Sequence, residues 1–298
     1  MEAGTRALRA AALRSVVADY LEMTKPKVQS LLLFTTVTTM YVAGDPSLGL
    51  VALTCVGGAL SAGGAGAINH ALDRDLDAVM KRTARRPVAS GRVSARAAIV
   101  YGVLLGCASF ALLALTVNAL AAVLAMAGLL GYVLVYTLWL KRSTPQNIVI
   151  GGAAGAVPPV VGWAAATGDL TLPALLLFLI VFFWTPPHFW ALALLIRRDY
   201  EAARVPMLPV VRGERETARS IVRYTLVMIG ITLLPFAAQT VGVLYLGAAL
   251  ARGGAVLWLA LALLRETTPA RARRLFSFSL AYLALLFVAL AVDPIVLG

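Results

Sequence analysis

The chain has 298 residues, 60% of them hydrophobic and only 13% charged, with a mean hydropathy of +0.86 and a formal net charge of +12. Soluble domains average about 45–50% apolar and about 25% charged residues, and disordered chains need low hydrophobicity with high charge, so both classes are excluded. What remains is an integral membrane protein, whose long apolar runs between basic clusters read as helices rather than as the alternating strands of a barrel.

Residues 1–22 contain arginines but neither an apolar core nor a small-residue cleavage site, and they read as a cytoplasmic surface helix rather than a targeting peptide. Nine stretches then come near the ~20 apolar residues that a helix needs to cross hydrocarbon, at about 28–43, 48–71, 97–116, 119–140, 146–167, 171–196, 219–239, 244–264 and 274–292. The first is short, and Thr35, Thr36, Thr38 and Thr39 blur its extent because their hydroxyls can bond back within a helix. Arg6, Arg9, Arg14, Lys25 and Lys27 precede span one, and further cations cluster at 81–96, at Lys141 and Arg142, at 197–223 and at 265–274. The intervening loops are short and carry Asp45, Asp169 and Asp293. By the positive-inside rule the N-terminus is cytoplasmic and the C-terminus outside. Topology thus accounts for the cationic excess, and no nucleic-acid partner is expected, since no basic face is interleaved with exposed aromatics. Arg252, within span eight, departs from the alternation and reads as a side chain that snorkels to the interface. Cys55 and Cys107 lie in apolar runs, with no disulfide framework or metal-ligand spacing between them.

The two long loops on the cationic side, about 73–96 and 197–219, hold most of the mixed charge, so any chemistry is expected there. Span two ends in Asn69-His70-Ala-Leu-Asp73-Arg74-Asp75-Leu-Asp77, followed by Lys81-Arg82-Thr83 and Arg85-Arg86-Pro87. Four residues along a helix advance about 40° past a full turn and about 6 Å in rise, so Asn69, Asp73 and Asp77 form one ladder of oxygen ligands while Asp75 points elsewhere. Such carboxylates suit Mg²⁺, a hard cation held through one or two of them plus substrate phosphate oxygens. The arginines a turn further on suit the remaining phosphate charge. The plainer reading is a set of solvated helix-end charges; pairing a cation-binding with an anion-binding pattern favours a metal-diphosphate site.

Those residues resemble the first aspartate-rich motif of the intramembrane aromatic prenyltransferase superfamily (UbiA type), and within it the branch that farnesylates haem. Further matching stretches are Thr24-Lys25-Pro26-Lys27-Val28, Tyr136-Thr-Leu-Trp-Leu-Lys141-Arg142, Thr144-Pro-Gln-Asn147, Pro158-Pro159-Val-Val-Gly-Trp163, Trp184-Thr-Pro186-Pro187-His188-Phe-Trp190, Asp199-Tyr200 and Val205-Pro206-Met-Leu-Pro209. They run from residue 24 to about 211; a weaker match follows at Arg274-Leu-Phe. The resemblance implies nine transmembrane helices around a central cavity, in the plasma membrane of a prokaryote. It implies farnesyl transfer from farnesyl diphosphate to a vinyl group of haem B, with water added, giving haem O and diphosphate. Asn69, Asp73, Asp77 and Asp199 are then the Mg²⁺ ligands, and Lys25, Arg82, Arg86 and Lys141, with Tyr136, the diphosphate-binding set. The superfamily repeats Asp at four-residue spacing in its second motif, whereas here Asp199 is followed by Glu201 and Arg204 with no Asp at position 203, so the second metal site is either weaker or served by Asp199 alone. A haem A synthase or terminal oxidase would receive the product.

Pro186 and Pro187 cannot complete the helical ladder and are expected to kink or open span six. His188 beside them is either an axial ligand for haem iron or a structural partner of a freed carbonyl. His70, turned about 100° from Asn69, is either a substrate contact, and then the second haem candidate, or a loop-packing residue. Aromatic side chains such as Tyr136, Phe182, Phe183 and Trp184 could face an allylic cation. Two other functions compete: a prenyltransferase for another aromatic acceptor, and a haem or small-molecule transporter. Nine spans do not divide into equal repeats, and the acids sit at the membrane surface rather than midplane, which disfavours transport.

Overall fold

The computed structural model describes residues 15–297, with side chains as far as 293, and every described element is a helix. Arg6, Arg9, Arg14 and the first part of the expected surface helix lie outside the described residues; 15–23 is helical. There follow α1 (Pro26–Ala43), α2 (Leu48–Leu72), the short α3 (Arg74–Val79), α4 (Ala95–Thr116), α5 (Ala119–Ser143) and α6 (Asn147–Thr167). The second half comprises α7 (Leu172–Leu195), the short α8 (Arg197–Ala202) and α9 (Leu208–Val211), α10 (Gly213–Ala237), α11 (Val243–Arg265) and α12 (Pro269–Leu297).

Eight of these helices, α2, α4, α5, α6, α7, α10, α11 and α12, are long and apolar enough to cross a membrane. The expected first span, α1, is helical over 18 residues but falls short in apolar character. Lys27, Gln29 and the threonines account for that, although Thr35 and Thr36 donate to the carbonyl of Leu32, and Thr38 to that of Phe34. Successive long helices pack side by side, and α12 returns to lie against α1, closing the ring. α1 also crosses α6, and α7 packs on α12.

Local sequence sets the starts. Ser47, Ser94 and Asn118 each accept a backbone N–H three residues on, capping α2, α4 and α5. In lipid, close helix contact depends on small residues, and Gly64 and Gly102 allow the α2 and α4 backbones to touch: a Cβ on Gly64 would lie 2.6 Å from the Gly102 carbonyl.

Two expectations need correction. α7 does not open: it is helical from Leu172 to Leu195 across Pro186 and Pro187, because only their two N–H donors are lost while the flanking ladder stays intact. Asp293 is not in a polar loop. It lies within α12, 2% exposed, and accepts the N–H groups of Gly242 and Tyr245 at the start of α11, which satisfies a carboxylate that would otherwise be costly to bury.

The sequence did not signal one further feature. Residues Gly131–Leu140 of α5 form a π-helix, whose wider turn is bridged where the Thr137 hydroxyl donates to the carbonyl of Tyr132 at 2.9 Å. π turns are rare and concentrate at functional sites.

Candidate active site

The acids stand where α2 ends. Helical hydrogen bonding continues across the α2–α3 junction, with Asp73 N–H to Asn69 O at 2.9 Å and Asp77 N–H to Asp73 O at 2.8 Å, so the four-residue ladder is kept. Asn69, Asp73 and Asp77 are buried at 3%, 0% and 1% exposure. Asp75 turns outward, its side chain 58% exposed, to meet Arg142 at 2.7 and 2.8 Å. That guanidinium holds the Asp75 carboxyl down at about 2.

Buried carboxylates need partners, and the described partners are the expected cations. Lys141 lies 2.5 Å from Asp73 Oδ2, which also accepts the Asn69 amide at 2.6 Å. Arg86 Nη1 reaches both oxygens of Asp77 at 2.9 Å, while Arg85 faces solvent. Lys25 donates to Asn69 Oδ1 at 2.6 Å and lies 3.3 Å from the Tyr132 hydroxyl. It arrives there on a left-handed backbone, φ 56°, ahead of Pro26. Glycine at position 66 lets that segment approach, since a Cβ there would stand 2.7 Å from the Met23 carbonyl. Burial first, then the charges of Arg86 and Lys141, pull the Lys25 ammonium down to about 7.

Asp199 comes from the other loop. Set half-buried on α8, it accepts the Arg82 N–H at a long 3.4 Å. Tyr200 beside it is pushed up by burial and lies within electrostatic reach of Arg82, Arg86, Asp199 and Asp73. Tyr136 packs on Gly151 and on Tyr132, ring centroids 5.4 Å apart. Thr137 accepts from the Asn69 amide at 3.1 Å. Tyr132, Thr137 and Tyr200 thus belong to the site without having been singled out; the hydroxyl-bearing positions 132, 136 and 137 leading to Lys141 in an otherwise apolar span were the available signal.

The donors are oxygens throughout, and Asp73 Oδ1 is buried without a hydrogen-bond donor. That set fits a hard divalent cation. Among the described residues no three His, Cys, Asp or Glu side chains gather as an ion-holding group, so substrate oxygens would have to complete the coordination, as is usual for Mg²⁺.

His188 sits deeper, 5% exposed, stacked between Trp184 at 4.3 Å and Phe276 at 4.6 Å. Its Nδ1 is 2.7 Å from Ser279 Oγ, which donates to the Phe276 carbonyl at 2.7 Å. The serine proton being committed, the network assigns Nδ1–H as donor, and no described group bonds to Nε2. His70 is 2% exposed with Nδ1 unpartnered. Of the other aromatics, Trp184 donates to the Ser279 carbonyl, and Phe182 and Phe183 pack against each other and their neighbours.

Comparison with known proteins bears on the family and the fold. Protoheme IX farnesyltransferase of Roseiflexus sp. (strain RS-1) is 56% identical over 284 residues, covering 95% of this chain and 53% of that protein. The chain thus spans about half the length of that relative, and likewise of its counterparts in Roseiflexus castenholzii and Chloroflexus aurantiacus. The protoheme IX farnesyltransferase of Symbiobacterium thermophilum is 54% identical over 93% of this chain and 94% of its own length. Among solved structures, digeranylgeranylglyceryl phosphate synthase aligns with TM-score 0.77 at 17% identity, covering 94% of this chain and 98% of that one. A UbiA homologue from Archaeoglobus fulgidus bound to GPP and Mg²⁺ aligns at 0.60 and 16%, covering 91% and 99%. At such identities these two share the fold. The model of the UbiA prenyltransferase family matches residues 31–289, and the chain belongs to that family.

Proposed function

We propose that the chain transfers the farnesyl group of farnesyl diphosphate to a vinyl group of haem B, with water added, giving haem O and diphosphate. The observation that carries this reading is the buried row of Asn69, Asp73 and Asp77, ringed by Lys25, Arg86 and Lys141 at the end of an apolar bundle. The haem acceptor is supported by the printed names of the relatives.

Asn69, Asp73, Asp77 and Asp199 would hold Mg²⁺, which when bound supplies charge neutralisation at the leaving group, as the Mg²⁺ and GPP of the Archaeoglobus homologue suggest. Lys141 and Arg86, now on carboxylates, take phosphate oxygens in exchange, with Lys25 and Arg82 beside them. The allylic C–O bond then breaks with its electron pair passing to diphosphate. The vinyl group attacks the allylic carbon; water adds to the resulting cation, which the porphyrin delocalises, and its proton leaves with the diphosphate. Tyr136 and Tyr132 line the head of this path, and the apolar helices keep stray water from the allylic cation. His188, its Nδ1–H committed to Ser279, would offer Nε2 to haem iron, since metal-bound imidazoles commonly donate their other N–H in this way.

In this reading α1 is the ninth crossing, the acid-bearing end faces the cytoplasm of a prokaryotic plasma membrane, and a haem A synthase or terminal oxidase takes the product. The deciding experiment is the mass spectrum of haem extracted from expressing cells. A gain equal to farnesyl plus water supports the transferase; labelled haem carried across vesicles at unchanged mass overturns it in favour of transport, and prenylation of a different aromatic acceptor overturns the haem assignment. His188→Ala should shift the absorption spectrum of bound haem; a lowered melting temperature with an unchanged spectrum returns His188 to a structural role.

A further inference from the structure

The link between α11 and α12 carries Arg265, Arg271, Arg273 and Arg274 on the same end of the bundle as the acids. Arg271 is accounted for: it pairs with Glu266 at 2.7 Å and donates to the Ala262 carbonyl. Arg273 and Arg274 are exposed and form no ion pair or hydrogen bond with any described residue. Both line an open cleft of about 930 Å³ on the outer seam of α11 and α12. Ser277 stands one turn further along α12, and Leu259, Pro269 and Phe278 give the cleft an apolar floor.

α12 enters the bilayer at this point, since Pro269 is its first residue and the apolar span follows. A ligand here therefore meets two unpaired guanidinium groups and a hydroxyl at headgroup level and an apolar surface below. From that placement we propose that the α11–α12 cleft binds an anionic phospholipid. The headgroup phosphate lies against Arg273 and Arg274 with Ser277 donating, and an acyl chain runs along Leu259 and Phe278. Charge complementarity excludes a zwitterionic lipid as the preferred occupant, because its ammonium would sit among cations with no carboxylate among the cleft-lining residues to receive it, Glu266 nearby being paired with Arg271. His188, Ser279 and Phe276 do not line this cleft, so the site is separate from the proposed haem position. It rests on the membrane-spanning fold and not on the haem reaction.

The purified protein in mild detergent would be titrated with phosphatidylglycerol and with phosphatidylcholine, and retained lipid read by native mass spectrometry. Wild type should favour phosphatidylglycerol by about 25-fold, from about fivefold per arginine near a membrane surface. Arg273→Gln with Arg274→Gln should abolish the preference, either single change should leave about fivefold, and Arg265→Gln, outside the cleft, should leave it whole. Equal retention of the two lipids by wild type overturns the proposal, as does an undiminished preference in the double variant. Displacement of phosphatidylglycerol by millimolar inorganic phosphate would also overturn it, showing a phosphate site rather than a lipid site. If the double variant does not insert, the single variants read the same dependence. Haem O formation in all four variants separates failure here from failure of the transferase reading.

Discussion

The two acidic segments of this bundle differ in sequence and in physical state. At the end of α2, Asp73 and Asp77 are almost wholly buried and each sits against a cation at 2.5–2.9 Å. At the end of α7, Asp199 is half-buried and receives one backbone N–H at 3.4 Å. Burial strengthens every electrostatic interaction and makes an unpaired charge costly, whereas a wet carboxylate gives up little when lost. The first segment therefore combines structural and chemical roles, and the second is an accessory placed by the loop.

The largest effect is expected at the first segment. Asp73→Ala leaves Lys141 buried beside an unpaired site, a change that costs about 3–5 kcal/mol when a buried pair is broken. Turnover should fall about 10²–10³-fold, the scale for losing one preorganised charge group, with haem binding retained. Asp77→Ala should behave alike through Arg86, and haem O formation with a melting curve checks both; normal turnover in Asp73→Ala would remove the metal assignment. Next comes Arg86→Lys, which keeps the charge but loses the planar fork. It should raise the KM for farnesyl diphosphate about tenfold, about 1.4 kcal/mol of binding, while exposed Arg85→Ala leaves it unchanged.

Asp199→Ala should be milder than either buried acid, about tenfold in kcat/KM, with no loss of melting temperature. A loss as deep as that of Asp73→Ala would erase the contrast between the segments. Asp75→Ala should be the smallest, since its pair with Arg142 is exposed and screened. Its sign with pH is fixed: the folded carboxyl titrates at about 2, below the ordinary 3.8, so the pair stabilises above about pH 4 and the contribution fades as pH falls through 2. Wild type and Asp75→Ala should thus differ slightly in melting temperature at pH 5 and converge near pH 2.

Hydropathy and charge alternation were enough to locate most of the helices within about three residues, because span length and loop sign are imposed by the bilayer itself, whereas α10 begins six residues before its expected start and α12 reaches five residues further at each end. The four-residue spacing of Asn69, Asp73 and Asp77 was legible for the same reason: helical geometry is local, and it survives the α2–α3 junction. What could not be read depends on contacts distant in sequence. Ser279 lies 91 residues from the imidazole whose tautomer it sets, and Asp293 is 51 residues from the N–H it accepts. Lys25 reaches Asn69 only because glycine occupies position 66 and the lysine backbone turns left-handed, neither of which hydropathy records.

The π-helical stretch 131–140 makes the winding of α5 an adjustable dial on the chemistry. Each residue of an ordinary helix turns the chain by about 100° and lengthens it by about 1.5 Å, whereas a π turn takes more residues to come round. Were the same stretch wound as plain α-helix, its apolar character would be intact. The bilayer would register almost no difference. Everything beyond it would swing about the axis and move along it, taking the Lys141 ammonium off Asp73 while Tyr132, on the near side, kept its place beside Lys25. The winding of this apolar span, and not just the identity of its residues, is what aims a charge at the acids.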